Sequence, residues 1–403
     1  MPRANGSTGS SPGVVASSGL AALALAMGIG RFAFTPILPM MQEDAGISVV
    51  QGALLASANY LGYLLGGLSA MRGGLGQRFA IRFGLLAIAV TTLAMGFADS
   101  FAAWIVLRAL SGLASAWVLV FVSAWSLERL GKARRADLTG IVYAGVGSGI
   151  VFAGLACLAL SRARLPSSAA WEALGIAALL FTIGLWRVVG GEAKAGGDPK
   201  TGSDAKAAVS APALPASPRD IPEFWRLVLC YGAFGFAYII PATFLPVMAK
   251  QAVSDPLWFG WAWPVFGAAA VVSTLLAARL TQSIGYRSVW ILGNLVMAAG
   301  VLVPIVVPGL TGIVIAAVCV GGTFMVNTMV GLQEARRVAG VHARILMAAM
   351  TSSFALGQIA GPLLAGAFMD VNGRFTAALA ASAIPLFLAA YALWRKPCVP
   401  FPL

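Results

Sequence analysis

Long apolar runs alternate with short polar breaks along almost the whole chain. A bilayer core about 30 Å thick needs about 20 apolar residues in a helix. Twelve runs meet that need: 16–40, 49–71, 79–97, 101–128, 138–160, 169–189, 224–248, 257–279, 288–308, 310–333, 344–369 and 375–394. Between the ninth and tenth, Pro308 and Gly309 mark the break, as residues that interrupt a helix. The first run continues well past the small residues Ala24 and Ala26, so it reads as a span rather than a cleavable leader. One stretch breaks the rhythm. Gly190–Pro222 is rich in Gly, Pro, Ser and Ala, with scattered charges and no apolar period. It reads as a flexible linker. The predicted organisation is a tail (1–15), a six-helix half (16–189), the linker (190–222), a second six-helix half (223–396) and a short tail (397–403). The predicted fold class is therefore all-α integral membrane, with twelve transmembrane helices.

Composition narrows the class. Apolar residues make up 59% of the chain and charged residues 10%, against about 25% charged in soluble domains. So apolar a chain would aggregate as a soluble protein, and it is far too hydrophobic to be disordered. The net charge of +13 suits either a nucleic-acid surface or loops biased to one side of a bilayer. The positions decide for the second. With both termini in the cytoplasm, 21 of the 27 Lys and Arg fall on the cytoplasmic side and four outside. That split orients the protein by the positive-inside rule and removes nucleic acid from the expected partners. The expected location is a bacterial inner membrane. Ten of the eleven Trp lie near predicted span ends, Trp117 being the exception. Cys157, Cys230, Cys319 and Cys398 have no metal-ligand spacing, and the single His342 has no oriented partner nearby. No cofactor, metal site, catalytic residue or enzyme activity is expected.

The two halves repeat. Gly145, Gly149 and Gly154 in the fifth span recur at Gly357, Gly361 and Gly366 in the eleventh, at an offset of 212. Leu38–Met41 (LPMM) recurs as Leu245–Met248 (LPVM) at an offset of 207, and Gly74 as Gly285 at 211. Glycines without side-chain bulk let two helices approach closely, either as fixed packing or as a sliding interface. Pro362 follows Gly361 and lacks a backbone donor, which favours a bend.

These features carry a resemblance. Six plus six spans with a cytoplasmic linker look like the major facilitator superfamily. Its loop motif after the second span is Gly-x3-Asp-Arg-x-Gly-Arg-Arg. Gly67, Arg72 and Gly74 match it, Met71 stands in the Asp place, and Leu75 and Gly76 replace the basic pair. The second copy keeps Gly285 and Arg287, with Gln282 in the Asp place. Arg108–Gly112 (RALSG) resembles the superfamily's Arg-x3-Gly motif in span four. Gly357–Gly366 (GQIAGPLLAG) resembles the Gly-Pro motif of antiporters, which normally sits in span five. Here span five has Ile150 in the proline position, so drug antiport is not inferred. Gly28–Met41 and Tyr231–Met248 together resemble the YbfB/YjiJ-type branch, over essentially the whole chain.

Two cations lie within spans, Arg31 and Arg108. An ionised group at membrane depth costs about 2.5–3.5 kcal/mol even on lenient scales, so chains keep few. Arg31 is about nine residues from the outer end of its span, roughly 13 Å, and Arg108 about seven, roughly 10 Å. The resemblance implies that spans one, four, seven and ten line a central cavity, which would set both arginines in one wall. All 14 acidic residues fall outside that depth. Unpaired guanidinium groups favour an anion, because their N–H fork matches carboxylate or phosphate oxygens. Thr35 and Gly28 share a helical face with Arg31, and Ser111, Gly112 and Ser115 share one with Arg108. Tyr238 is the offset-207 counterpart of Arg31; Asn59, Tyr63 and Asn327 are further candidates, equally suited to ordinary interhelix hydrogen bonds. A structural role for Arg31, binding carbonyls freed by Pro36, stands beside the ligand role.

The expected function is secondary transport of a small organic anion by alternating access. Arg31, Arg108, Tyr238, Thr35, Asn59 and Asn327 would form the binding site. Gly67, Arg72, Gly74, Gly145, Gly149, Gly285, Arg287, Gly357, Gly361 and Pro362 would serve gating and helix packing. The partners implied are a small-molecule substrate, with or without a co-transported or exchanged ion, and the lipid bilayer, around a functional monomer. With no titratable acid at mid-depth, anion exchange or symport in which the proton rides with the substrate fits best. The alternative on the same fold is an exporter of drugs, sugars or other neutral or cationic compounds.

Overall fold

The computed structural model describes residues 11–72, 74–189, 221–252, 256–367 and 376–395. Of the predicted linker 190–222, residues 190–220 lie outside them, and 221–222 belong to the helix that follows. Helices account for nearly all of the described chain. In order they are α1 (Pro12–Asp44), α2 (Val49–Met71), α3 (Gln77–Phe97), α4 (Phe101–Lys132), α5 (Thr139–Arg162) and α6 (Ser167–Leu185). After the linker come α7 (Ile221–Ala252), α8 (Pro256–Ile284), α9 (Tyr286–Val306), α10 (Leu310–Ala339), α11 (Ala343–Ala367) and α12 (Thr376–Trp394).

Ten segments among the described residues are long and apolar enough to cross a membrane. The difference from twelve apolar runs has two causes. Residues 49–71 carry Gln51, Asn59, Tyr60, Tyr63 and three serines or glycines per turn in places, which dilutes their hydropathy. Residues 310–361 count as one segment, because α10 and α11 are joined only by the short turn Gly340–His342.

Local chemistry sets the helix ends. Ser11 caps α1 through its Oγ, which accepts from the Val14 amide at 3.4 Å, and Pro12 occupies the first turn. A capping box opens α2: Ser48 Oγ accepts from Gln51 N at 3.1 Å, and Gln51 Oε1 from Ser48 N at 2.8 Å. Gly74 and Gly285, paired by the sequence repeat, both have positive φ (+107° and +80°). Each turns the chain in a conformation that only glycine adopts without strain.

Packing is close wherever glycines face a neighbour. A β-carbon at Gly62 or Gly66 on α2 would overlap backbone of α4, and one at Gly112 on α4 would overlap the Asn59 carbonyl. The α5 glycines Gly145 and Gly149 lie in the same way against Leu20, Ala24 and Gly28 of α1. Gly357 and Gly361 on α11 press on Gly232, Phe236 and Ile239 of α7. Thus the repeated glycines make equivalent contacts, α5 with α1 and α11 with α7. Two further seams, α2 with α11 and α5 with α8, join helices before the linker to helices after it. Large apolar side chains such as Leu180, Leu229 and Leu388 face outward, as a lipid-facing surface requires.

Candidate functional site

The helix carrying Arg31 is not a regular α-helix. Residues Ala24–Phe32 form a π-helical segment, after which α geometry resumes at Phe34. Such widened turns are rare and concentrate at functional sites. Pro36, four residues after Phe32, has no N–H to offer the Phe32 carbonyl.

Helix α4 holds this segment. Ser111 Oγ donates to the Gly30 carbonyl at 2.8 Å, and Ser115 Oγ to the Ala26 carbonyl at 2.8 Å. Arg108 Nη1 and Nη2 approach the carbonyls of Gly30 and Arg31, each at 3.4 Å. The guanidinium of Arg108 also lies over the Phe34 ring, 4.6 Å from its centroid. Binding α1 carbonyls, the structural role considered for Arg31, thus falls to Arg108 and two serines. Asn59 on α2 supports the arrangement: its Nδ2 donates to the Arg108 carbonyl at 3.0 Å.

Arg31 is 3% exposed, as is Arg108. Its guanidinium lies over Tyr63 at 4.0 Å, with Tyr60, Phe32 and Phe354 between 5.4 and 5.7 Å. These ring faces attract the cation through their quadrupole and leave its in-plane donors open. Nη2 donates to Oε1 of Gln358 on α11, while Nε and Nη1 have no partner. Nε of Arg108 is likewise unpartnered. Among the described residues neither arginine has a carboxylate partner.

The helices after the linker supply rings. Tyr238 on α7 is buried and stacks on Phe324 of α10 (5.2 Å, 13°) and on Phe354 of α11 (6.1 Å, 20°). The column continues from Phe324 to Phe266 and Trp263 on α8. Phe32, next to Arg31, meets Phe324 edge-on at 5.9 Å. The Tyr238 hydroxyl has no partner.

The other anticipated residues divide. Thr35 is half-buried and forms none of the site's hydrogen bonds. Asn327 turns to Asn294 on α9, donating to its Oδ1 at 3.0 Å, and stays apart from the arginines. Gly67 faces Ser352 of α11, so it belongs to the seam between α2 and α11. Arg72 ends α2 and is exposed. Pro362 lies within α11, with its side chain outside the described residues. Arg287 at the start of α9 joins an ion-pair network. It bonds Glu334 through Nε at 3.1 Å and Nη2 at 2.9 Å, and it also pairs with Glu223. Arg226 completes the Glu223 end, and Arg337 meets Glu334 at 2.7 Å.

Sequence reasoning passed over Gln358, Tyr60 and Phe354, and treated Glu223 and Glu334 only as loop charges. A signal existed for Gln358. It is a long polar side chain between Gly357 and Gly361, in a stretch (354–369) that is otherwise apolar or glycine.

Asn59, Tyr238 and Gln358 are all buried with the arginines. A cleft of about 370 Å³ beside Leu86 and Thr182, and one of about 590 Å³ beside Phe97 and Val106, touch neither arginine. Apolar helices of membrane length around a few buried polar groups define a multi-pass membrane protein. A family model described as the uncharacterised MFS-type transporter YbfB matches residues 23–394, and the chain belongs to that family.

Proposed function

We propose that the protein is a secondary transporter of a small organic anion, working by alternating access of two six-helix halves that together cross the membrane twelve times. Arg31 and Arg108 bind the anionic group, and Tyr238 contributes from the opposite half. The observation that carries this reading is the set of buried donors without partners, Nε and Nη1 of Arg31 and Nε of Arg108, on arginines that have no carboxylate partner among the described residues. Buried polar groups are almost always hydrogen-bonded, so such a cluster marks a place for an acceptor. Equivalent contacts of α1 with α5 and α7 with α11 support two related halves. The 21-to-4 division of basic residues supports cytoplasmic termini in a bacterial inner membrane. The enclosure of the arginines fits an occluded stage of the cycle.

Replacing Arg31 with Ala should abolish saturable anion uptake in reconstituted vesicles. Unchanged uptake by that variant would remove Arg31 from the site. The ring column from Trp263 to Phe354 favours a second reading, export of a neutral or cationic compound. Efflux of a cationic dye driven by an imposed pH gradient, with no response to anions, would decide for it.

A further inference from the structure

We propose that Gln358 is a specificity-determining residue of this site: it holds the Arg31 guanidinium when no anion is bound, and shares the anion with Arg31 when one is. The inference rests on the anion reading above. It starts from an uncharged amide placed where an acid would neutralise the arginine. Gln358 is fully buried, and its Oε1 accepts from Arg31 Nη2. Its Nε2 has no partner, beside the equally unpartnered Nε and Nη1 of Arg31.

Guanidinium stereochemistry gives this contact its consequence. A planar oxyanion takes two parallel N–H bonds, from Nη1 and Nη2 or from Nε and Nη2. Both forks include Nη2, each through a different one of its two N–H bonds, and Gln358 engages this atom through one of them. A carboxylate entering the fork that uses this N–H displaces the amide oxygen or shares its donor, whereas one entering the other fork binds beside the amide. Rotating the amide by half a turn then presents Nε2 to the carboxylate as an additional donor. A glutamate here would occupy the fork permanently and repel the ligand. A methionine would fill the space and offer neither oxygen nor N–H.

The contact also joins α1, before the linker, to α11, after it. An anion that displaces the amide oxygen replaces a direct bond between these helices with one made through itself; one in the other fork adds a bond through itself beside it. Either change supplies a differential contact between states, without which a ligand shifts no conformational equilibrium. The ligand class it selects is a planar oxyanion, a carboxylate first of all.

The test uses the full-length protein purified in detergent. Thermal unfolding is followed against acetate, succinate, benzoate and inorganic phosphate, with chloride as the balancing salt. The wild-type protein should be stabilised by at least one carboxylate. Gln358→Glu should weaken its apparent affinity on the order of a hundredfold or more, through like-charge repulsion. Gln358→Met, which keeps the volume, should weaken it about tenfold, through loss of a hydrogen bond to a charged group. If both variants keep wild-type affinity while Arg31→Ala loses it, this inference falls and the anion reading stands. If none of the four anions stabilises the wild-type protein, both fall together.

Discussion

Arg31 and Arg287 are both enclosed arginines, and the chain treats them in opposite ways. Arg287 sits where α9 begins, facing two carboxylates that are themselves shared with Arg226 and Arg337. The Glu334 side chain is 1% exposed and that of Arg287 15%. Arg31 is more deeply buried, at 3% exposure, yet among the described residues it meets an amide, four aromatic rings and no acid. The contrast separates two uses of a buried charge. Where a cation ties helix ends together, the sequence supplies counter-ions. Both arginines keep a buried donor without a partner, Nη1 in each; what sets Arg31 apart is that it has no carboxylate partner among the described residues, which suits an anion that comes and goes.

The largest effect should appear when the two arginines are changed alike. Arg287→Met strips Glu223 and Glu334 of a shared partner. Breaking a buried ion pair from one side costs about 3–5 kcal/mol, and Arg226 and Arg337 hold this case to the lower end. Arg31→Met removes a charge that has no counter-ion, so the ligand-free protein should melt at the same temperature or higher, as when a functional strain is relieved. Thermal unfolding of both variants in the same detergent makes the comparison. Equal destabilisation would mean that Arg31 is a structural cation, and the contrast would be gone.

A smaller effect tests how the π segment is held. Ser111 and Ser115 donate to carbonyls of α1 and have no evident role toward a ligand. The double change of both to Ala should cost about 2 kcal/mol, at about 1 kcal/mol for each buried hydrogen bond. Ligand affinity should fall as well, because the segment that positions Arg31 loses two of its anchors. A loss of stability with unchanged affinity would show that Arg31 is positioned by its ring neighbours alone.

Helix placement was legible from the length of the apolar runs, because a membrane-spanning segment must satisfy its own backbone as a helix. The repeat was legible too, since Gly145, Gly149, Gly357 and Gly361 mark close helix contacts that side chains would block. The two arginines stood out because charge is rare in an apolar run. What they would touch was not legible. Gln358 lies 327 residues from Arg31, and the α2–α11 seam that brings them together depends on how the helices associate. The π geometry at Ala24–Phe32 has no sequence period of its own. Asn327 shows the converse limit. It was a candidate because its span is one of those expected to line the cavity, but it donates to Asn294 on α9 instead. Glu223 and Glu334 form an interhelix network with Arg287 although Gln282 occupies the motif's acid position, so spatial neighbours replace the expected sequence neighbour.

The finest probe concerns Tyr238, the register counterpart of Arg31 on the other side of the linker. Its ring and its hydroxyl make separable contributions. The ring stacks on Phe324 and Phe354, whereas the hydroxyl is buried without a partner. Tyr238→Phe keeps the stack and removes only the hydroxyl, so stability should hold within about 0.5 kcal/mol or rise slightly, because an unsatisfied buried group is gone. If the hydroxyl binds the anion, affinity for the carboxylate that stabilises the wild-type protein should fall about fivefold, the effect of one hydrogen bond worth roughly 1 kcal/mol. Titration by thermal shift reads both quantities from one series. A fivefold loss would make the site span the linker, with the guanidinium fork on α1 and a hydroxyl on α7. An unchanged affinity would confine the anion to α1, α4 and α11, and leave the ring column as a wall against the rest of the ligand.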